Sequence, residues 1–174
     1  MKQDIRRRLQ EISQAKGQEY GKIVQKLLAI AFCEAGAARL TDRSTQGIDL
    51  EVTLAGGRKL ALEVKTSQSE KVVFGKKDIK GLCGRKSEGL TPYLALLGPR
   101  ALDEWIFARF VEGEILPDRC YALTALRAYR DAKLEELVRD AFGAAVVTHA
   151  TAAIEGGQGA LDAVIQRYEC FASA

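Results

Sequence analysis

The chain has 174 residues, of which 47% are hydrophobic and 28% are charged, and its formal net charge is +3. This composition is typical of a globular protein with a buried core and excludes a disordered or collagen-like chain. No apolar run approaches the roughly 20 residues of a membrane span, and the opening segment MKQDIRRRLQEI lacks the apolar stretch of a signal peptide. We therefore expect a cytoplasmic protein.

The cysteine pattern argues against a structural zinc site. Cys33, Cys83, Cys120 and Cys170 are widely spaced with no C-x-x-C pair, and His149 is the single histidine. Zinc sites need clustered Cys and His ligands. Since nothing indicates secretion, we predict four free, buried thiols rather than two disulfides. His149 is predicted to be an ordinary surface or packed residue.

Two helices are predicted at the start of the chain. Residues 3–13 place three apolar side chains at helical spacing. The segment AKGQEYGKIVQKLLAIAFCEAG then repeats apolar residues every three or four positions, which predicts a helix buried on one side. Gly36 is its candidate C-cap. The polar segment TDRSTQG, residues 41–47, is predicted to be a loop.

The next segment, IDLEVTLAGGRKLALEVK, is predicted to form a β-hairpin. Its apolar residues are all even-numbered, and strand side chains alternate between two faces, so each strand has one apolar face. The two apolar faces coincide when Leu54 pairs with Arg58. That register leaves a three-residue loop, Ala55-Gly56-Gly57, with a glycine available for its left-handed position.

Strands and a weak helix are predicted after the hairpin. The segment KKDIKGLCGRKSEG is weakly helical, because its internal glycines disfavour a helix. PYLALLG is a short apolar run typical of a central strand. EWIFARFVEGEI is predicted to be a strand with both faces partly covered, which places Trp105 in the core.

The C-terminal part of the sequence is predicted to be mainly helical. Apolar residues recur at helical spacing over residues 119–142 and again over 158–171. Between these helices we expect a short strand at 144–147 (AAVV). The pair Gly156-Gly157 is predicted to separate the pieces.

The predicted hairpin register brings three ionisable residues together. Asp49 lies opposite Glu63, and Lys65 lies two residues further along on the same face. Two neighbouring carboxylates repel each other and are costly to bury unless a hard cation lies between them. Such a cation could polarise a phosphodiester, while the lysine holds a water or offsets developing charge. The alternative is an exposed cross-strand salt bridge, but the run LALEVK is unusually apolar for an exposed strand.

Basic residues follow the hairpin and predict a surface that faces phosphates. The alternative is a solvated helix face. The residues are Lys71, Lys76, Lys77, Lys80, Arg85 and Lys86.

The order of these motifs resembles the PD-(D/E)XK nuclease superfamily, whose fold is restriction-endonuclease-like. A helix with an early glutamate is followed by G-I-D-L, a glycine turn and L-E-V-K. The ordered segments KGQEYGKIVQKLL, IDLEV, GGRKLALEVKTS, VVFGKKDIKGL and PYLALL are similar to archaeal Holliday-junction resolvases, over roughly residues 16–111. Gly47-Ile48 stands where the superfamily usually has a proline before the aspartate.

The resemblance implies an α/β fold with a central mixed β-sheet flanked by helices. The αβββαβ nuclease-like core would occupy residues 1–115. A mainly helical C-terminal extension, residues 116–174, would pack on the same domain.

The resemblance also implies roles for individual residues. Asp49 and Glu63 would be ligands of Mg²⁺, with Mn²⁺ as a substitute, and Lys65 would be the catalytic lysine. The basic residues after the hairpin would contact DNA phosphates that flank the scissile one, without reading the base sequence. Glu19 would match the first-helix glutamate that reaches the metal through water, although it falls about one position early. Alternatively, Glu19 is an exposed residue in the first turn, where the helix dipole favours a negative charge.

Together these features predict a Mg²⁺-dependent DNA endonuclease that hydrolyses phosphodiester bonds and selects branched DNA, as in recombination and repair. A C₂ homodimer is expected, because cutting both strands of a symmetric junction needs two active sites. One alternative is a restriction-type or repair nuclease of the same superfamily. Another is a non-catalytic DNA-binding or assembly module that retains the nuclease fold, although the intact set Asp49, Glu63 and Lys65 argues against it. A third is a plain interaction domain.

Overall fold

A computed structural model of the protein describes residues 2–43, 47–99 and 104–172. Within these ranges no helix is both long enough and apolar enough to cross a membrane. The helices are α1 (Lys2–Ala15), α2 (Tyr20–Glu34), α3 (Lys76–Ser87), α4 (Leu123–Leu126) and α5 (Ala132–Ile165), with one 3₁₀ turn at Arg127–Tyr129. The strands are β1 (Arg39–Asp42), β2 (Leu50–Thr53), β3 (Lys59–Thr66), β4 (Lys71–Val73), β5 (Thr91–Leu97), β6 (Trp105–Arg109) and β7 (Cys120–Ala122).

Five strands form one central sheet in the order β1-β2-β3-β5-β6. β3 and β5 are parallel, and the other neighbours are antiparallel, so the sheet is mixed. The parallel pair needs a crossover connection, and α3 supplies it. β4 and β7 form a separate two-stranded ribbon.

The predicted hairpin register is confirmed. Leu50 pairs with Leu62 and Val52 with Leu60. The Leu54 amide donates to the Arg58 carbonyl at 2.9 Å, which closes the three-residue loop. Gly57 has φ 81°, a conformation that a glycine adopts without a steric penalty.

The two faces of the sheet carry separate apolar cores. The even-numbered residues of β2 and β3 pack beneath α2 and α5, as their alternation predicts. The opposite face, which includes Ala61, Leu94 and Leu96, packs against α3, the β4–β7 ribbon and α4. Glu63 and Lys65 share this second face because they have the parity of Ala61.

Helix α2 is buried on nearly all sides, not on one side as predicted. Every residue from Leu27 to Cys33 is buried. The helix lies between the sheet and α5, and α1 also packs on α5. A helix that is apolar all round belongs in an interior, so the continuous run LLAIAFC was the signal for this burial. Gly36, with φ 81°, follows the helix as its predicted capping glycine.

The C-terminal predictions need correction. Residues 119–142 do not form one helix, because β7, α4 and the 3₁₀ turn precede α5. The predicted strand at 144–147 is wrong, since these residues lie inside α5. Gly157 does interrupt the helix, with φ 61° and ψ −150°. The helix ends at Ile165 rather than at 171, and the boundary between core and extension at residue 115 stays a prediction.

The loop predicted at 41–47 is only partly correct. Thr41 and Asp42 belong to β1, which pairs with β2. The polar composition of the segment gave no sign of this pairing. Residues 44–46 lie outside the described residues. The prediction for Trp105 is confirmed, since it is buried in the core, and His149 is half-buried.

The cysteines differ in exposure, so the prediction of four buried thiols is wrong in part. Cys33 is buried and Cys120 is exposed, while Cys83 and Cys170 are half-buried. All four are free thiols. The sulfurs of Cys33 and Cys170 lie 2.9 Å apart. Burial raises the pKa of the Cys33 thiol, and the contact with Cys170 raises it further.

Candidate active site

A cleft of about 390 Å³ opens where the first turns of α2 and α3 meet the hairpin. The three ionisable residues that the hairpin register predicted, Asp49, Glu63 and Lys65, all line it. The N-terminal parts of both helices therefore line the same space. The other lining residues are Gln18, Gly21, Lys22, Gln25, Gly47, Ile48, Val64, Thr66, Lys77 and Asp78.

The backbone of β3 holds Asp49 in place. The Asp49 amide donates to the Leu62 carbonyl at 2.9 Å. The Val64 amide in turn donates to Asp49 Oδ2 at 2.8 Å. Asp49 Oδ1 accepts from Lys22 Nζ at 3.2 Å. One oxygen of the Asp49 carboxylate is thus fixed by the sheet, and the other accepts from the ammonium group of Lys22.

Glu63 is a buried carboxyl group, with 5% of its surface exposed. Burial and the neighbouring Asp49 carboxylate raise the pKa of Glu63 to about 8, although Lys65 acts in the opposite direction. The two carboxylates are therefore close enough to repel each other. A bound cation would relieve this repulsion.

Lys65 bridges two carboxylates. Its Nζ lies 2.9 Å from Glu63 Oε1 and 2.7 Å from Asp78 Oδ2. Burial alone would lower the pKa of Lys65, but Glu63 and Asp78 outweigh it and leave the pKa raised. Lys65 is therefore an ammonium group near neutral pH and can donate hydrogen bonds.

Asp78 is a member of the site that sequence reasoning missed. Its Oδ2 also accepts from the Gly75 amide at 3.0 Å, at the start of α3. Burial would raise its pKa, but Lys65 and the Gly75 amide outweigh burial and lower it. The available signal was the Gly-Lys-Lys-Asp pattern, in which an acidic residue three positions after an N-cap turns back toward it.

Glu19 is exposed and does not line the cleft. Its carboxylate faces Gly157 of α5, where an added Cβ would lie 2.5 Å from Glu19 Oε2. The cleft wall from α2 is instead built by Lys22 and Gln25, whose side chains are hydrogen-bonded at 3.1 Å. Gln25 is 2% exposed, and a buried polar residue in an apolar helix was the signal for its place here.

A close backbone contact positions the segment before Asp49. Gly47, with φ 91°, packs directly on Gly81 of α3. A Cβ on Gly81 would lie 1.9 Å from the Gly47 carbonyl oxygen. Gly81 weakened the helix prediction for this segment, yet only glycine permits the approach that brings α3 to Asp49.

The predicted DNA-contacting residues fall into two groups. Lys77 lines the cleft, and Lys77, Lys80 and Arg85 line the groove beside it on α3. The remaining residues do not line the cleft. Arg85 is held by Glu51 at 3.1 Å and by Glu88 at 2.6 Å, and Lys86 pairs with Glu112 at 3.0 Å. Lys71 and Lys76 are exposed.

The carboxylates fit a hard divalent cation. Asp49 and Glu63 are both buried, and burial together with repulsion from Asp49 raises the pKa of Glu63. Among the described residues, no group of three or more His, Cys, Asp or Glu side chains could hold a metal ion. A cation here would therefore have two carboxylate ligands from side chains. Mg²⁺ commonly binds through one or two carboxylates and completes its shell with water and phosphate oxygens.

Comparison by sequence matched no protein-family model and no curated protein. The structure is similar to that of Hjc, a Holliday junction resolvase from the archaeal hyperthermophile Archaeoglobus fulgidus, with a TM-score of 0.51. The two sequences are 19% identical, and the match covers 67% of this chain and 95% of that chain. Together with the mixed sheet, this likeness confirms the predicted α/β fold with flanking helices.

Proposed function

We propose that this protein is a metal-dependent endonuclease that hydrolyses phosphodiester bonds in DNA. One observation carries the proposal: Asp49, Glu63 and Lys65 converge in a single cleft. A phosphodiester is an anion that reacts with water, and this cleft holds a protonated lysine that can stabilise such an anion.

Asp49 and Glu63 would hold a Mg²⁺ ion, for which Mn²⁺ would substitute. When bound, the ion supplies positive charge that polarises the phosphate and makes water more acidic. The Val64 amide holds Asp49 Oδ2 in place, and the ion would take over Oδ1 from the Lys22 ammonium. Metal binding also requires the proton of Glu63 to leave, because its pKa is about 8 in the metal-free protein.

Lys65 would act as a hydrogen-bond donor and not as a base. Its pKa is raised, so it carries a proton at neutral pH. In this state it can orient the attacking water or stabilise charge on the phosphate oxygens. Asp78, at 2.7 Å, would act as a positioning residue that keeps the ammonium in the cleft.

Lys77 and Lys80 would bind phosphates next to the scissile one. Both are exposed and line the groove that continues from the cleft along α3. Neither has an ion-pair partner within residues 2–43, 47–99 and 104–172. They are therefore better candidates for DNA contacts than Arg85 and Lys86, whose charges are already compensated.

We propose branched DNA as the substrate and a homodimer as the active form. The order of the sequence motifs and the likeness to a Holliday junction resolvase support this choice. A C₂ dimer would place two clefts on a symmetric junction. Light scattering with and without DNA tests the assembly, and a monomer at micromolar concentration under both conditions would contradict it.

The direct test is cleavage of labelled four-way junction, flap, duplex and single-stranded DNA, each with and without Mg²⁺. We expect cutting only with the metal and preference for the junction. Preference for duplex would indicate a restriction-type or repair nuclease of the same superfamily. Absence of cutting on all four substrates, with Mg²⁺ and with Mn²⁺, would overturn the proposal.

A non-catalytic DNA-binding module is the second candidate. The observation that favours it is the position of Glu19, which faces Gly157 and not the cleft. Such a module would bind junction DNA without cutting it. Its affinity for DNA would also not depend on Mg²⁺, since no metal would link the carboxylates to a phosphate.

A further inference from the structure

Each of the two carboxylates in the cleft is paired with a lysine. Lys22 of α2 places its Nζ 3.2 Å from Asp49 Oδ1, and Lys65 of β3 places its Nζ 2.9 Å from Glu63 Oε1. Both lysines line the cleft. Each proposed metal ligand therefore has an ammonium group at one of its oxygens.

Buried partners hold the ammonium group of Lys22. Its Nζ also donates to Gln25 Oε1 at 3.1 Å, one turn further along α2. Gln25 and Asp49 are both buried, whereas the side chain of Lys22 is 46% exposed. The ammonium therefore lies where two buried acceptors meet the open part of the cleft.

Lys22 and a divalent cation need the same oxygen of Asp49. Oδ2 accepts from the Val64 amide at 2.8 Å, so Oδ1 is the oxygen that a cation would use. An ammonium and a divalent ion at one oxygen are neighbouring cations, which repel each other strongly where little water screens them. Binding of the ion therefore requires the Lys22 ammonium to leave Oδ1.

The two lysines differ in the partner that each would keep beside a bound ion. Lys65 keeps the carboxylate of Asp78, at 2.7 Å. For Lys22, the one other partner among the described residues is Gln25 Oε1, which is neutral. An ammonium has three N–H donors, so two of them would then lack an acceptor from the protein. Metal binding would thus leave the charge of Lys22 uncompensated, but not that of Lys65.

We propose that Lys22 couples metal binding to DNA binding, an inference that rests on the proposed function. The ammonium leaves Asp49 when the cation binds, stays anchored by Gln25, and donates to the DNA phosphate at the cation. A phosphodiester offers the charged acceptor oxygens that the released ammonium needs. Because coupling between two ligands is reciprocal, metal and DNA should each raise the affinity of the other by the same factor.

Lys77 of α3 is the matched control. It lines the same cleft with the same charge. Within residues 2–43, 47–99 and 104–172 it has no ion-pair partner, so its charge is available with or without a cation. Lys22→Met and Lys77→Met each remove one positive charge from the cleft and keep an unbranched apolar side chain.

The first experiment measures metal binding without DNA, by calorimetric titration with Mn²⁺. Lys22→Met should bind Mn²⁺ about tenfold more tightly than the unmodified protein, because the competing ammonium is gone. Lys77→Met should change the affinity less than about threefold, since it removes only a nearby exposed charge. Asp49→Asn shows whether the measured binding belongs to this site, because it removes an anionic ligand.

The second experiment measures binding of a labelled four-way junction by anisotropy, with and without Ca²⁺. Ca²⁺ also takes oxygen ligands, and a gel checks that the DNA stays intact. The cation should raise DNA affinity by the same factor in the unmodified protein and in Lys77→Met. The factor should be about tenfold smaller in Lys22→Met, because the charged hydrogen bond from Lys22 to the phosphate forms only beside the cation.

The outcomes distinguish this inference from the proposed function. If Mn²⁺ binds the unmodified protein no better than Asp49→Asn, the carboxylates hold no metal and both proposals fail. If Mn²⁺ binding depends on Asp49 but is equally tight in Lys22→Met, the metal site stands and the role of Lys22 is overturned. The role of Lys22 is also overturned if Lys22→Met keeps the full gain in DNA affinity with Ca²⁺.

Discussion

Asp78 of α3 holds Lys65 of β3 through an ion pair of 2.7 Å, so the lysine of the hairpin is oriented by a residue from another element. Lys65 also contacts Glu63, a predicted metal ligand. A cation that binds Glu63 would weaken that contact. Asp78 would then be the group that keeps Lys65 in the cleft.

Asp78→Asn should therefore lower the cleavage rate about 10–100-fold, the usual effect of losing a positioning group. The amide retains an oxygen that can accept from the Gly75 amide, so the start of α3 is preserved. DNA affinity without metal should hold or rise, since a negative charge in the cleft is lost. Single-turnover cleavage and anisotropy measure the two quantities, and Asp140→Asn on the exposed side of α5 is the control. A full cleavage rate in Asp78→Asn would leave Asp78 with a capping role only.

Asp49→Asn and Glu63→Gln keep the side-chain size but remove anionic oxygens that a hard cation requires. Cleavage should fall at least about a hundredfold in each, because metal assistance is worth several kcal/mol. DNA affinity without metal should hold or rise, since a negative charge near the phosphate is lost. Lys65→Ala should differ, with metal binding retained and turnover reduced. An Asp49→Asn protein that cuts at the unmodified rate would remove the metal site from the mechanism.

The raised pKa of Glu63 gives a test of stability against pH. The pKa is about 8 in the folded protein and 4.5 for an ordinary glutamate. Between these values the folded state binds more protons than the unfolded state, so stability falls as pH rises through this window. Glu63→Gln removes the effect. Its melting temperature should exceed that of the unmodified protein increasingly from pH 5 to pH 8.5, and a constant difference would show that Glu63 is not desolvated.

The hairpin and its charges could be predicted because they follow from local alternation. The parity of the apolar residues fixes the register from the Leu50–Leu62 pair onward, and Asp49 stands at the position just before that pair, beside Glu63. Asp78 could not be found this way. It reaches Lys65 through the packing of α3 on the sheet, which depends on the contact between Gly47 and Gly81. That contact has no signature in the sequence beyond two glycines.

The errors have similar causes. Residues 144–147, AAVV, favour a strand locally, but α5 packs on α1 and α2 and holds them helical. Tertiary packing overrides weak local preference in such cases. Glu19 was predicted to reach the metal site because it stands at the start of α2. Its exposure depends on which way the first turn faces, and residues 18–22 carry too few apolar side chains to fix that direction.

The groove beside the cleft gives a prediction about salt. Lys77→Ala combined with Lys80→Ala should weaken binding of junction, flap and duplex alike, because phosphate contacts carry no sequence information. The slope of log K against log salt should become shallower by roughly two units for two lost contacts on duplex DNA. Lys86→Ala is the matched control, since Lys86 is paired with Glu112. An unchanged slope in the double variant would place both lysines outside the DNA interface.

The glycines of α3 offer a paired test of how the site is positioned. Alanine is favoured over glycine within a helix by about 1 kcal/mol. Gly84→Ala should therefore stabilise the protein by about 0.5–1 kcal/mol, because no atom lies within 4 Å of the added Cβ. Gly81→Ala should instead destabilise it by about 1–3 kcal/mol, because its Cβ would lie 1.9 Å from the Gly47 carbonyl oxygen and must push α3 away. Urea unfolding measures both.

The two variants should also differ in their cleavage rates. In Gly81→Ala the displaced Gly47 segment moves Asp49 away from Glu63, so the rate should fall even at temperatures where the variant is fully folded. Gly84→Ala should cut at the unmodified rate. If the two variants instead change stability by the same amount and with the same sign, the contact between α3 and Gly47 does not position Asp49.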